Sequence, residues 1–111
     1  MSRGLSNLQQ FIVARAAATP DLLYIGEILA DFFGWEPVRP IRDDSGKRVR
    51  FYCFSAKLIG MKRYGKTMAT VSRACRRLEE LGLVQRRQGW AGSGVEITPR
   101  GRECLLMKRN P

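Results

Sequence analysis

The sequence predicts a mainly α-helical domain that carries one small β-hairpin, with an extra hairpin or extended arm inserted in its middle. Three observations predict it. Lys66 to Gly82 is two-faced at helical spacing, two strand-like runs around a glycine-rich segment follow directly, and two helix-spaced apolar rows come before. At 111 residues the chain reads as one domain, 1–111, large enough to bury a core without covalent staples.

The first helix is signalled by Ser6-Asn7-Leu8-Gln9, which has the S-x-x-Q spacing of a capping box with Leu5 ahead of it as a staple. It should run from Asn7 to Ala18 and bury Leu8, Phe11, Ile12 and some of the alanines. Thr19-Pro20-Asp21 ends it, because proline cannot continue the hydrogen-bond ladder. Leu22, Ile25, Ile28, Leu29 and Phe32 predict a second helix from Leu22 to Phe33, closed by Gly34.

Residues 35–59 form the inserted arm. Val38 to Arg42 and Lys47 to Phe54 are strand-like and flank the turn-rich Asp43-Asp44-Ser45-Gly46, which predicts a β-hairpin or at least an extended excursion. A helical turn from Ser55 to Gly60 links it onward. Trp35, Phe51 and Phe54 read as core in preference to stacking platforms.

At about 100° per residue, Met68, Val71, Ala74, Cys75, Leu78 and Leu81 gather on one side of the helix predicted over 66–82. Lys66, Thr70, Arg73 and Arg77 gather on the other, with Ala69 and Arg76 flanking. A helix that buries one stripe and offers arginines and short polar groups on the other suits a DNA major groove. There arginine can fork onto guanine, and Thr or Ala can meet a thymine methyl. Arg73 and Arg77 also read as solvated charges paired with Glu80. Gly82 is placed to reverse the chain in the left-handed region.

The wing is predicted over 83–98. Leu83 to Gln88 is a strand, Gly89 to Gly94 a flexible turn, and Val95 to Thr98 the returning strand. Thr98-Pro99 gives an N-cap followed by proline at the first helical position. The last helix carries Leu105, Leu106 and Met107, either as plain core or, with the first helix, as a dimer seam.

Charge points the same way. The chain has 20 Lys and Arg against 10 Asp and Glu, a net of +10, which argues for a polyanionic partner, nucleic acid before a membrane surface. Residues 1–36 are net negative, whereas most of the excess lies within 57–90, on and beside the two-faced helix. Cys53, Cys75 and Cys104 show no metal- or redox-type spacing. No secretory signal opens the chain, and no apolar run nears the roughly 18 residues of a membrane span. A reducing, cytoplasmic setting is expected, with no membrane partner. Histidine is absent, which removes the commonest general base and transition-metal ligand. No enzymatic activity, cofactor, metal or small-molecule substrate is expected.

Helix, helix, two-faced helix, strand, glycine turn, strand, helix is the order of a winged helix-turn-helix domain. Ala69 to Val84, ATVSRACRRLEELGLV, resembles the recognition-helix-to-wing junction of MarR-like transcriptional regulators. In that group a basic hairpin and then a Leu-Thr-x-x-Gly segment follow, and Ile97-Thr98-Pro99-Arg100-Gly101 is similar, with Ile for Leu. The resemblance covers about the C-terminal half of the chain. It implies that Thr70, Ser72, Arg73 and Arg77 lie near DNA, with Arg86 and Arg87 in the wing, and it implies a homodimer on a two-fold-symmetric site. MarR-like wings bear Asp-x-Arg near the tip, where this chain has Gly89-Trp90-Ala91-Gly92-Ser93-Gly94, and residues 35–59 have no counterpart there. A divergent winged-helix protein fits better than the MarR family proper.

The expectation is therefore a double-stranded DNA-binding protein that regulates transcription. Phosphate contacts would come from Lys62, Arg63, Lys66, Arg76, Arg86 and Arg87, and base reading from Thr70, Arg73 and Arg77. Six such contacts give a slope of log K against log salt near about −5. A winged helix that docks on RNA or protein is the alternative, with only Tyr64 and Trp90 eligible to stack on bases. A more remote one is a phosphate-cradling P-loop, since Gly60 to Thr67 satisfies G-x-x-x-x-G-K-[ST]. Its interior is bulky and charged, and no strand ending in a magnesium-binding Asp follows.

Overall fold

The computed structural model describes residues 5–19, 21–36, 41–42, 48–49, 54–89 and 92–109. In chain order these form α1 (Asn7–Ala18), β1 (Leu23–Tyr24), α2 (Ile25–Asp31), β2 (Ile41–Arg42), β3 (Arg48–Val49), α3 (Ala56–Ile59), α4 (Met61–Glu80), β4 (Val84–Gly89), β5 (Gly92–Ile97) and α5 (Pro99–Arg109). The fold is mainly helical with a small three-stranded antiparallel sheet, in the order β1-β5-β4, and a separate β2-β3 pair.

Ser6 starts α1 as the capping box requires. Its hydroxyl accepts the Gln9 N–H at 3.2 Å, and Gln9 Oε1 accepts the Ser6 N–H at 2.9 Å. Leu8, Ile12, Val13 and Ala16 are buried along one face of α1, which packs against α4, α5 and β5.

The second helix is shorter than its apolar spacing suggested. Leu23 and Tyr24 are strand, paired with Val95 and Gly94 of the hairpin. The helical run begins only at Ile25, where Glu27 turns back to accept the Tyr24 N–H at 3.1 Å in a buried position. A carboxylate there satisfies an orphan donor of the first turn. Two β residues inside an apolar row keep the row's burial but change its geometry, so spacing alone misses them. Phe32, expected inside, is 37% exposed and leans on the Phe11 ring at 5.2 Å.

β2 and β3 pair antiparallel, Ile41 with Val49 and Arg42 with Arg48, which is the hairpin form of the inserted arm. Phe51, Cys53, Lys47 and the turn expected over Asp43 to Gly46 lie outside the described residues. Ser55 caps α3, accepting the Leu58 N–H at 3.3 Å.

The two-faced helix starts earlier than expected and ends at Glu80. Gly65 lies within it, at a cost of about 1 kcal/mol relative to alanine, too little to halt a twenty-residue helix. Lys62 and Arg63 are thus part of α4. So are residues 61–67, which leaves no loop to wrap a phosphate and removes the structural premise of the P-loop reading.

Val71, Ala74, Cys75 and Leu78 of α4 are buried, with Met68 and Leu81 partly so. Gly82, at φ 77°, closes α4: its N–H reaches Glu79 O, and the Leu83 N–H reaches Leu78 O at 3.0 Å, a Schellman pair.

The hairpin is tighter than the six-residue turn expected for 89–94. Its strands pair from Val84 with Ile97 out to Gly89 with Gly92. Thr98 then joins wing and helix: its hydroxyl donates to Gly82 O at 2.6 Å and accepts the Gly101 N–H at 3.0 Å. Trp35, buried, stacks on Tyr64 at 5.4 Å and meets Phe54 edge-on at 5.5 Å. Both Trp35 and Phe54 are packing residues, as expected.

Candidate nucleic-acid interface

The outer face of α4 carries a basic row interrupted only by Ala69. Lys62, Lys66, Ala69, Arg73 and Arg76 recur at three- and four-residue spacing and are all exposed, opposite the buried Val71, Ala74, Cys75 and Leu78. Arg76 therefore lies within the face alongside Arg73, not at its flank. Arg63, next to Lys62 and about 100° round the helix, is also exposed. Among the described residues no carboxylate is ion-paired with Lys62, Arg63, Lys66, Arg73 or Arg76, whereas Arg15, Arg77, Arg86 and Arg87 each have one. Ion pairing among the described residues thus sorts the sequence-predicted cations into two groups.

Arg77 takes Glu80 at 3.6 Å, with both side chains more than half exposed. Such a pair in solvent is worth little, so Arg77 can release it. Thr70 is exposed as expected, but its hydroxyl is occupied. It donates to Lys66 O at 2.9 Å and accepts Nη2 of Arg73 at 3.4 Å.

The two wing arginines do not act together. Successive strand residues leave on opposite faces, so Arg86 shares the inner face with Val84 and lies across from Val95. There Glu79 of α4 takes both its main-chain N–H at 3.0 Å and its Nε–H at 2.9 Å. The backbone N–H of Arg86, and then its guanidinium, hold the Glu79 carboxyl below its ordinary value. Arg87 leaves on the outer face and donates to Glu96 of β5 at 3.0 Å. Each is thus ion-paired within the protein, whereas the sequence reading expected both as phosphate contacts. The alternation rule, applied from buried Val84, was the signal that separates them.

Between α4 and the hairpin lies a groove of about 510 Å³, with Ser72, Glu79, Arg86 and Gln88 among its lining residues. Cys75 forms part of its floor, and burial pushes that thiol up to about 11. Trp90 of the hairpin tip lies outside the described residues. Tyr64 is half-buried against Trp35, so its ring is engaged within the protein. No protein-family model, no curated protein and no solved structure matches the chain. No helix among the described residues is long and apolar enough to cross a membrane.

What the arrangement can do chemically follows from the row's dimensions. Five cationic side chains on one helix, without acidic partners among the described residues, suit an anion that repeats along a line. An α-helix with side chains matches the roughly 12 Å width of the B-DNA major groove.

Proposed function

We propose that the chain is a divergent winged helix-turn-helix protein that binds double-stranded DNA through α4 and regulates transcription. The observation that carries this reading is the exposed row Lys62, Lys66, Ala69, Arg73 and Arg76, free of ion pairs among the described residues. The fold supports it further. β1 sits between α1 and α2 in sequence and pairs with the hairpin, which fixes the helices and the wing in one body. Lys62, Arg63, Lys66 and Arg76 contact phosphates, and Arg73, with Arg77 once released from Glu80, faces base edges. Arg86 and Arg87 brace the wing. Engagement of Tyr64 by Trp35 favours duplex DNA over single-stranded RNA, whose readers expose stacking rings.

Titrating a random-sequence DNA duplex, and single-stranded RNA beside it, across a range of salt tests the reading. Four phosphate contacts give a slope of log K against log salt of about −4. Absence of duplex binding at low salt, or tighter binding to the RNA, would sink it. A homodimer belongs to the same reading. It uses the face on which Leu106, 63% exposed, lies beside Ala14, Ala17 and Ala18 of α1. Sedimentation that finds only monomer at micromolar concentration removes that part.

A further inference from the structure

We infer that Arg73 reads a guanine and that Thr70 is its positioning residue, a step that rests on the reading of α4 as the DNA-contacting helix. The Thr70 hydroxyl has one proton, and it is committed to Lys66 O at 2.9 Å. That fixes the oxygen with a lone pair outward, where Arg73 Nη2 donates to it at 3.4 Å. A chain of two hydrogen bonds thus runs from the α4 backbone to an exposed guanidinium.

A guanidinium has five N–H donors, and this contact uses one. The rest of the fork remains, and among the described residues no carboxylate neutralises it, since Glu80 is taken by Arg77. Ala69 lies one turn before Arg73 on the same exposed row, and its methyl side chain leaves room for a base-pair edge to come close to the helix. A group with donors only fits guanine, which offers N7 and O6 as paired acceptors. Adenine sets a donor beside its N7, and cytosine offers a donor. The Thr70 hydroxyl is bonded on both sides within the helix, so it aims Arg73 and makes no hydrogen bond to a base of its own.

The test begins with selection of bound sequences from random duplex DNA by the full chain. Each guanine of the selected site is then replaced by 7-deazaguanine, which lacks the N7 acceptor. One guanine is expected whose replacement weakens the wild type about tenfold, while Arg73→Ala shows no such sensitivity. Thr70→Val, which keeps the methyl and loses the hydroxyl, should lose several-fold of that discrimination at unchanged salt slope, and Thr70→Ser should restore it. Both positions are exposed, and far-UV circular dichroism checks that each variant is folded.

Sensitivity that persists in Arg73→Ala, or full discrimination in Thr70→Val, overturns the inference. Duplex binding without any preferred sequence overturns it too and leaves the DNA-binding reading standing. A wild type that binds no duplex fails the broader reading at the first step, and the inference with it.

Discussion

Glu79 on the last turn of α4 holds Arg86 of β4 by main chain and side chain together, so one carboxylate spans the helix and the first strand of the hairpin. A carboxylate that accepts a backbone N–H gains from being charged, which is why its acidity rises. A lowered pKa in the folded state means stability that is full above the ordinary value of 4.5 and lost as pH falls through the folded value. Glu79→Gln should therefore melt lower than the wild type near neutral pH. The gap between the two should shrink as acidification carries the pH below the ordinary value and through the lowered one. Thermal melts of both proteins across pH measure it, and a gap independent of pH would show that the ionised carboxylate does not matter.

Gly101 sits where α5 crosses the start of the wing. A methyl group on it would press into the Leu83 carbonyl oxygen and meet the Ile97 Cδ1 atom at 2.6 Å. One obstacle is backbone held by the Thr98 N–H at 3.1 Å, so it cannot swing aside as a side-chain tip would. Gly101→Ala gains helix propensity, yet it should destabilise by about 2–3 kcal/mol through overpacking. Urea denaturation gives the value. An unchanged or raised midpoint would mean that α5 shifts freely against the hairpin.

Legibility in the sequence tracked how local the physics is. The start of α1 was readable because Ser6 and Gln9 satisfy each other within one turn, and the end of α4 because Gly82 alone fits the reversal. The Thr98 cap and the buried stripe of α4 were readable for the same reason. β1 was not, because Leu23 and Tyr24 become strand only through pairing with residues about seventy positions later. Nor was the fate of Arg86, whose partner lies on another element. Of the site, exposure of the cationic residues on α4 followed from periodicity. Which of them are neutralised depends on tertiary neighbours that spacing does not encode.

Cys75 illustrates a residue whose chemistry is set by burial. Its thiol, ordinarily near 9.0, is pushed up to about 11 chiefly by loss of solvent, with Arg86 opposing and Glu79 adding. The unfolded chain thus ionises this thiol at lower pH than the folded one. Stability from it is complete below about pH 9 and is lost as pH rises towards 11, by up to roughly 2–3 kcal/mol. Cys75→Ala should show less alkaline loss than the wild type while being about 1 kcal/mol less stable at neutral pH. Denaturation curves from pH 7 upward compare them. Identical alkaline losses would place the thiol in contact with water.

The division of cations into paired and unpaired predicts different salt behaviour on DNA. A lysine or arginine that contacts phosphate releases counterions, so Lys62→Ala, Lys66→Ala and Arg76→Ala should each make the slope of log K against log salt shallower by about 0.9. Arg86 spends its charge on Glu79 and is not counted among the phosphate contacts of the proposed complex. Arg86→Ala should leave the slope unchanged even though it weakens binding, because an uncompensated Glu79 then stands beside the groove. Arg87→Ala behaves likewise through Glu96. Fluorescence anisotropy at several salt concentrations separates the two classes. A slope loss for Arg86→Ala equal to that for Arg76→Ala would mean that the Glu79 brace opens when DNA binds and that Arg86 joins the contact.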